Sequence, residues 1–328
     1  MQNNGEFPIV SQAYEQRPNR ERIGLAIYGA DAAAAVKAIV AAEAADVRQV
    51  WMTQFTSAPD TMAIFAAASL QTSRVRMGTA IVPTYPRHPI SLAQQALTLG
   101  DLAPNRLRLG IGTSHRPAIE GFYGIPMSAP LEHLREYVDI LRAILWQGEV
   151  DYHGRFFTVK TTFPRTPRTP ILISALRTGA FHLAGEVSDG AISWVCPVPY
   201  LLEKALPALR AGAAKSGRPV PPLVAGIPVA LSQDRQTVLK AARSQLSRYG
   251  RLPFYANMFA DAGFPIAPDG TMTDALIDSL VISGDEAAIA ARFTELLEAG
   301  LDELFVMNMQ IEDPEIEQVR LSRLIGQM

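Results

Sequence analysis

The sequence predicts an α/β fold, a single (β/α)8 TIM barrel with insertions. Eight short apolar runs alternate with helical patterns along the 328 residues. This alternation is typical of parallel βα units, and eight strands are the number that closes a barrel. An open doubly wound sheet uses similar units, but it begins with a glycine-rich turn, and Tyr28-Gly29-Ala30-Asp31 does not match G-x-G-x-x-G. A content of 48% hydrophobic residues supports a core of this size.

The predicted strands are the apolar runs, and a segment of helical periodicity follows each of the first seven. In chain order the strands are Ile23–Tyr28, Arg48–Met52, Val75–Val82, Arg106–Gly112, Pro170–Ala175, Gly190–Val195, Leu223–Leu231 and Glu303–Met307. The predicted helices are Asp31–Ala45, Asp60–Gln71, Pro89–Leu102, an amphipathic helix through Leu131–Leu145, one that ends at Glu186, Tyr200–Ser216, Asp234–Tyr249 and Asp285–Ala299. Asp31 and Asp60 are expected to cap the first two helices, because a carboxylate accepts hydrogen bonds from free N–H groups of the first turn.

Several segments fall outside the repeating pattern. Residues 1–21 are polar and aperiodic and are expected to form a tail ahead of the barrel domain, residues 22–328. A long loop is expected after the fourth strand. Residues near 150–167 are expected to form an insertion built on a β-hairpin, Val150–Val159. A second insertion, near residues 251–278, is expected to be irregular, and both insertions are expected to cover the site.

Composition excludes several classes of protein. The formal net charge is −2 and the basic residues are scattered, which argues against nucleic acid or an anionic membrane as a partner. Cys196 is the one cysteine, so an internal disulfide framework is excluded and a reducing compartment, the cytoplasm, is expected. No zinc-binding histidine pattern, Walker-type loop or G-x-S-x-G motif occurs. No metal site is expected, and an organic cofactor is favoured.

A (β/α)8 barrel carries its active site at the C-terminal ends of its strands, so the residues there are the candidates. The cofactor-binding candidates are Gln54, Thr79, Ala80, Ile81, Gly112, Thr113, Ser114, Ala175, Leu176, Arg177, Thr178, Gly179 and Trp194. The small and hydroxyl-bearing residues at 112–114 would let a flat ligand or a phosphate approach the backbone. Arg177 opens a helix, where free backbone N–H groups and a guanidinium together suit an anion.

The stretch Val75–Pro89 lies at the centre of this set, as a strand that runs into a corner with three prolines. Its motif G-T-A-I-V-P-T-Y-P-R-H-P, at Gly78–Pro89, resembles the luciferase-like flavin and deazaflavin oxidoreductases. Within them it is most similar to a group that uses coenzyme F420. The resemblance extends from Arg22 to about Asn308 and includes the run Tyr-Gly-Arg-Leu-Pro at Tyr249–Pro253.

The resemblance implies an F420-dependent oxidoreductase that transfers a hydride between reduced deazaflavin and a small organic acceptor, an activated alkene, imine or carbonyl. It implies that the ring lies against a bulge of the third strand, with a non-prolyl cis peptide at Ala80–Ile81. A relative's catalytic histidine after strand two falls on Gln54, which cannot act as a general acid. A relative's glutamate after strand four matches His115. The group's G-P-R loop after strand five is Arg177-Thr178-Gly179 here.

Two residues are candidates for the proton donor. His115, with an ordinary pKa near 6.5, suits acid catalysis, and Tyr85 is the other. The simpler interpretation of His115 is a hydrogen-bonded loop residue. Two other functions stay open, an FMN-dependent luciferase-like monooxygenase and a flavin-binding protein without turnover. The partner is a small-molecule substrate that the residues do not identify, and a homodimer is expected.

Overall fold

The computed structural model describes residues 17–328 and contains a closed barrel of eight parallel strands. In order the strands are Ile23–Ala26, Gln49–Met52, Arg76–Thr79, Leu107–Gly112, Ile171–Ser174, Gly190–Trp194, Leu223–Ala230 and Glu303–Asn308. Two short strands, Val82–Pro83 and Ile282–Ser283, pair with the fourth and seventh strands. The ring closes where Ile23 of the first strand aligns with Leu304 of the eighth. The predicted (β/α)8 barrel is confirmed.

Helices surround the barrel, and most lie where the periodicity predicted them. Their bounds are Ala32–Ala44, Thr61–Ser69, Pro89–Leu102, Pro130–Arg142, Thr178–Val187, Val198–Tyr200, Leu206–Ser216, Arg235–Gly250 and Glu286–Glu298, with π-helical turns at Ala143–Gln147 and Leu201–Ala205. Asp31 accepts a hydrogen bond from the Ala34 amide at 2.7 Å, and Asp60 accepts one from the Ala63 amide at 2.9 Å. Both predicted caps are therefore confirmed.

The first insertion is a hairpin outside the barrel, as predicted. Glu149–His153 pairs antiparallel with Thr158–Thr162 in a separate two-stranded sheet. The buried carboxylate of Glu136 holds its turn by accepting hydrogen bonds from the amides of Arg155 at 2.8 Å and Phe156 at 3.0 Å. Three backbone amides in the turn converge on this carboxylate, which fixes the hairpin against the helix that carries Glu136.

Other segments differ from the prediction. The second insertion is not irregular, the loop after the fourth strand contains a helix, and a helix follows the eighth strand; these helices are Pro253–Asp261, Asp274–Leu280, Arg116–Phe122 and Pro314–Gln327. Three of the four carry proline within the first two helical positions, where the missing N–H costs no hydrogen bond. Pro117 and Pro253, in segments that were expected to be loop or irregular, thus lie at helix starts.

Of the predicted tail, residues 1–16 lie outside the described residues. Its end does not continue as a tail, because Asn19–Arg22 form one helical turn. Glu21 in that turn pairs with Arg76 at 3.0 Å, so the turn is attached to the N-terminal end of the barrel. Within residues 17–328, no helix is both long and apolar enough to cross a membrane.

Two glycines make room for Trp51 inside the barrel. A Cβ atom at Gly24 would lie 2.5 Å from Trp51 Nε1, and one at Gly78 would lie 2.3 Å from Trp51 Cε3. Non-bonded heavy atoms prefer separations of about 3.5–4.0 Å, so these positions in the first and third strands require glycine. The indole of the second strand fills the space and packs on Phe305, with ring centroids 5.8 Å apart.

Below this ring the barrel is closed by a buried ion pair. Arg108 of the fourth strand donates to both carboxylate oxygens of Glu303 in the eighth, at 2.5 and 2.9 Å. Gln49 of the second strand accepts from Arg108 at 2.9 Å and donates to Glu303 at 3.1 Å. Burial alone would raise the pKa of Glu303, but the charges of Arg108 and then Arg76 outweigh it, so the pKa is lowered. Three strands are thus joined across the barrel interior.

We expect Arg108→Met to lower the free energy of unfolding by about 3–5 kcal/mol, because it leaves a buried carboxylate without its cation. The double variant Arg108→Met/Glu303→Leu is expected to recover most of that loss, since an apolar pair of similar volume can replace a buried ion pair. Urea denaturation measures both. Arg165→Met is the control, because Arg165 pairs with Asp101 at the surface and should contribute about 0–1 kcal/mol. A loss for Arg108→Met as small as the control's would contradict the role of this pair.

Candidate active site

The third strand bends at Ala80, and the peptide bond Ala80–Ile81 is cis. The prediction of one continuous strand over Val75–Val82 is therefore wrong, because regular pairing stops at Thr79 and resumes at Val82. The second strand holds the bend: the Ala80 amide donates to Met52 O at 2.7 Å, and Thr53 Oγ1 donates to Ala80 O at 2.7 Å. The cis peptide that the family resemblance implied is present at the expected bond.

The proline-rich corner beyond the bend is braced by its own side chains. Arg87 forms an ion pair with Asp60 and donates to Gln95 at 2.9 Å. His88 accepts a hydrogen bond from the Ile90 amide at 3.2 Å at the start of the next helix. Both side chains are therefore occupied in holding the corner next to the bend.

The floor of the barrel mouth is flat and apolar. Trp194 of the sixth strand stacks on Phe305, with centroids 5.3 Å apart and planes at 16°. Gly226 allows this stack, because a Cβ there would lie 2.6 Å from both rings. Ala80 and Ile81 pack beside the pair and remain partly exposed. A flat apolar surface thus lies directly beside the cis-bonded bend.

Gln54 closes the loop after the second strand. Its side-chain oxygen accepts from the Thr61 amide at 2.8 Å, and its side-chain nitrogen donates to Phe55 O at 3.0 Å. Its own amide donates to Ile81 O at 3.2 Å, the carbonyl that follows the cis peptide. Gln54 thus supports the bend through its backbone, while its side chain is bound to the loop.

The end of the fourth strand brings small residues and His115 to the mouth. A Cβ at Gly112 would lie 2.1 Å from Ser174 Oγ and 3.2 Å from Ile81 Cγ1, so glycine lets the strand ends approach. Ser114 has a φ of 59°, in the left-handed region, and His115 follows as the N-cap of the helix Arg116–Phe122.

The His115 imidazole lies 5.7 Å from the ring of Tyr255 in the second insertion, measured between centroids. Within residues 17–328 it has no protein hydrogen-bond partner. Burial lowers its pKa, and the positive charge of Arg248 lowers it further. The imidazole is therefore near the mouth and available to a ligand.

Tyr85, the other proton-donor candidate, lies against a helix. Its hydroxyl donates to Ser128 O at 2.7 Å, and its ring stacks on His133 with centroids 4.0 Å apart. Burial raises the pKa of the phenol. Because the protein already accepts its proton, the geometry favours His115 over Tyr85 as the donor.

The loop after the fifth strand presents an exposed helix start. Ala175 is buried and Leu176 is half-buried, while Arg177, Thr178 and Gly179 are exposed. The N-cap residue Arg177 makes no side-chain hydrogen bond to the helix Thr178–Val187, and a helix start of this kind suits an anion. Arg177 pairs at 3.2 Å with Asp261, a residue of the second insertion. The predicted residues lie together, but the guanidinium of Arg177 is already paired with a carboxylate.

Sequence reasoning missed four residues at the mouth: Tyr28, Arg248, Tyr249 and Tyr255. The hydroxyl oxygen of Tyr249 accepts from Trp194 Nε1 at 2.6 Å and from Arg248 at 3.0 Å. Its ring contacts that of Tyr255 at 4.8 Å between centroids. The Tyr-Gly-Arg-Leu-Pro run that begins at Tyr249 was the available signal, because it belongs to the family motif.

Comparison with known proteins identifies the family. The sequence model of the luciferase-like monooxygenase family matches residues 12–303. The chain is 30% identical over 286 residues to the F420-dependent glucose-6-phosphate dehydrogenase of Beutenbergia cavernae, which covers 82% of each chain. It is also 30% identical over 214 residues to an uncharacterised protein of Mycobacterium tuberculosis, with 60% of this chain and 63% of that protein's length covered.

The fold agrees with solved structures. An F420-dependent secondary alcohol dehydrogenase in complex with an F420–acetone adduct superposes with a TM-score of 0.77, over 92% of this chain and 97% of that one, at 18% identity. At that identity the likeness establishes the fold alone. The family match over residues 12–303 shows that this chain belongs to the luciferase-like monooxygenase family.

Proposed function

We propose that this protein is an oxidoreductase that uses coenzyme F420 to transfer a hydride to a small organic acceptor, an activated alkene, imine or carbonyl. The observation that carries the proposal is the flat apolar floor, formed by Trp194 stacked on Phe305 with Ala80 and Ile81 beside the pair. The names of relatives that act with F420, a glucose-6-phosphate dehydrogenase and a secondary alcohol dehydrogenase, support the choice of cofactor.

The residues at the mouth fit such a cofactor. Ala80, Ile81 and Trp194 offer an apolar surface to a flat ring, and Gly112 keeps the strand ends close without a side chain in the way. The uncapped start of the helix Thr178–Val187 suits a phosphate. Thr113 and Ser114 add hydroxyl groups at the end of the fourth strand. Thr79 acts from within the barrel, because its hydroxyl donates to Gly110 O at 2.7 Å and fixes the strand below the bend.

Ala80, Ile81 and Trp194 would hold the deazaflavin, which would supply hydride chemistry, and the protein supplies position and a proton. The bend and the floor orient the ring, while the aromatic residues above the mouth exclude water. His115 holds the proton that the acceptor takes up, at the atom next to the one that receives the hydride. Because the pKa of His115 is lowered, only a minor fraction of its side chains is protonated at neutral pH before the substrate binds.

The family description favours a second candidate, an FMN-dependent monooxygenase. Reduced flavin reacts with oxygen, whereas the deazaflavin has carbon in place of the reactive ring nitrogen. Oxygen consumption with reduced FMN therefore separates the two functions. A tight cofactor complex that reduces no acceptor would instead indicate a flavin-binding protein without turnover.

The proposal also includes a quaternary structure, a homodimer, and a location, the cytoplasm. The thiol of the lone Cys196 is buried, and burial raises its pKa to about 12, so oxidative cross-linking does not hold the dimer together. Light scattering that gave the mass of one 35.6 kDa chain would exclude the dimer.

Calorimetric titration should show that the deazaflavin binds with a Kd of 1 µM or below, about −8 kcal/mol, and at least tenfold more tightly than FMN. The ring sites for the two cofactors are alike, so the difference is expected from the acidic tail, which FMN lacks. The reverse order of affinity would assign FMN as the cofactor.

Arg177→Gln should weaken binding of either cofactor about fivefold, because the exposed guanidinium contributes only about 1 kcal/mol to the phosphate contact. Asp261→Asn should strengthen binding, since it releases Arg177 from the ion pair. Both variants are measured by the same titration. If both substitutions leave the Kd unchanged, the phosphate does not bind at this helix start.

Turnover should fall as pH rises through the pKa of His115, which lies below the ordinary value of 6.5. The sign follows because the protonated imidazole is the active form and its fraction decreases as pH increases. His115→Asn should remove this limb of the kcat profile and lower kcat about 10²–10⁴-fold. His153→Asn is the control, since that side chain is exposed on the hairpin. An unchanged pH profile in His115→Asn would assign the proton to another group.

A further inference from the structure

Arg248 differs from the other arginines around the mouth. Arg87, Arg116 and Arg177 pair with Asp60, Glu120 and Asp261. No carboxylate in residues 17–328 forms an ion pair with Arg248, which is exposed at the end of the helix Arg235–Gly250. Its guanidinium lies over the Tyr249 ring at 4.9 Å and donates to the Tyr249 hydroxyl oxygen at 3.0 Å.

The Tyr249 hydroxyl can donate one more hydrogen bond. Its oxygen already accepts from Arg248 and from the indole N–H of Trp194, and neither donor can accept a hydrogen bond in return. In the described part of the chain its own proton has no acceptor. Tyr249 therefore has an O–H to donate, next to a guanidinium with further N–H donors.

Both groups lie at the mouth, because Tyr249 contacts Trp194 of the floor and Tyr255, and Arg248 contacts Tyr249. The charge of Arg248 acts on Tyr28 after the first strand, on His115 after the fourth and on Tyr255 in the second insertion. A basic residue in the last turn stabilises a helix end, but that role does not require a guanidinium aimed at a phenol beside Trp194. The arrangement concentrates hydrogen-bond donors at one point above the floor.

We infer that Arg248 and Tyr249 bind a carboxylate of the acceptor, so that the substrate is an organic anion, such as a 2-alkenoate. This inference rests on the proposed hydride transfer. A guanidinium and a neutral O–H donor match the two oxygens of a carboxylate, and both would form charge-assisted hydrogen bonds. A neutral acceptor would leave the cation without a counter-charge.

The bound carboxylate also favours protonation of His115. On its own element, Arg116 is paired with Glu120, and Tyr255 faces the imidazole as a neutral phenol whose pKa is raised by burial. The carboxylate offsets the charge of Arg248, so His115 takes up a proton when the substrate binds. For a 2-alkenoate, the hydride bonds to C3, the π electrons of the C2–C3 bond form the new bond to the His115 proton at C2, and solvent then reprotonates the imidazole. The reduced deazaflavin supplies the two electrons.

The test measures binding to the complex with oxidised deazaflavin, which cannot reduce the ligand. Calorimetry compares crotonate with crotonamide and cinnamate with cinnamamide, each pair having one skeleton and differing in charge. We expect at least one acid to bind tenfold or more tightly than its amide. Titration near pH 6 in buffers of different ionisation enthalpy should show uptake of a fraction of a proton with the acid, and His115→Asn should abolish it.

Substitutions test which residues cause the preference for the acid over the amide. Arg248→Met should remove the preference for the acid, Arg248→Lys should retain part of it, and Tyr249→Phe should weaken acid binding while the ring stays in place. Lys240→Met removes the same charge from the same helix, about 12 Å towards its N-terminus, and should leave the preference intact. Absence of acid preference in both pairs, or a preference that survives Arg248→Met, overturns the inference. Failure of the deazaflavin to bind in its own titration overturns the proposed function instead, so the two failures are distinct.

Discussion

The column of three aromatic rings inside the barrel is the contact on which the site depends. Trp51, Phe305 and Trp194 come from three strands, and glycines on neighbouring strands give each ring its space. Trp194 is the top of this column, so its height sets the floor of the mouth, and its N–H fixes the Tyr249 hydroxyl at 2.6 Å. Because barrel interiors are close-packed, a change of volume at Trp51 would reach the groups that bind ligands.

The two ends of the barrel use arginine in opposite ways. At the closed end, Arg108 donates to both oxygens of Glu303, so the carboxylate is neutralised in the buried interior of the barrel. At the mouth, Arg248 donates to a phenol oxygen and no carboxylate of residues 17–328 neutralises it. A buried charge needs all its partners within the fold, whereas a cation at the solvent edge keeps its hydration until a ligand replaces it. The first arrangement stabilises the fold, and the second leaves a charge for recognition.

Sequence reasoning succeeded where a local rule determines the structure. The helix Pro89–Leu102 was predicted with both ends correct, and its start follows a local rule, because proline occupies the first position and His88 caps it. The bend at Ala80–Ile81 was expected only from the family resemblance, because the residues alone predicted an unbroken strand over Val75–Val82. Long-range contacts were not predictable: Arg177 meets Asp261 across 84 positions, and Trp194 meets Tyr249 across 55. Residues 251–278 were interpreted as irregular because their prolines and glycines conceal two short helices between turns.

The second insertion provides a carboxylate to Arg177, the proposed phosphate contact, but none to Arg248, the proposed contact for the substrate anion. Asp261 belongs to it and neutralises Arg177, so a phosphate at the helix start must replace a carboxylate that is already bound. Tyr255 belongs to it as well, but it brings no charge to Arg248 and packs against His115 and Tyr249 instead. Attraction between opposite charges therefore favours the cofactor phosphate less than the substrate anion, and the cofactor's affinity must come mainly from its ring on the apolar floor. Under the proposed function, the aromatic column would determine cofactor affinity, and Arg248 would determine which acceptors are bound.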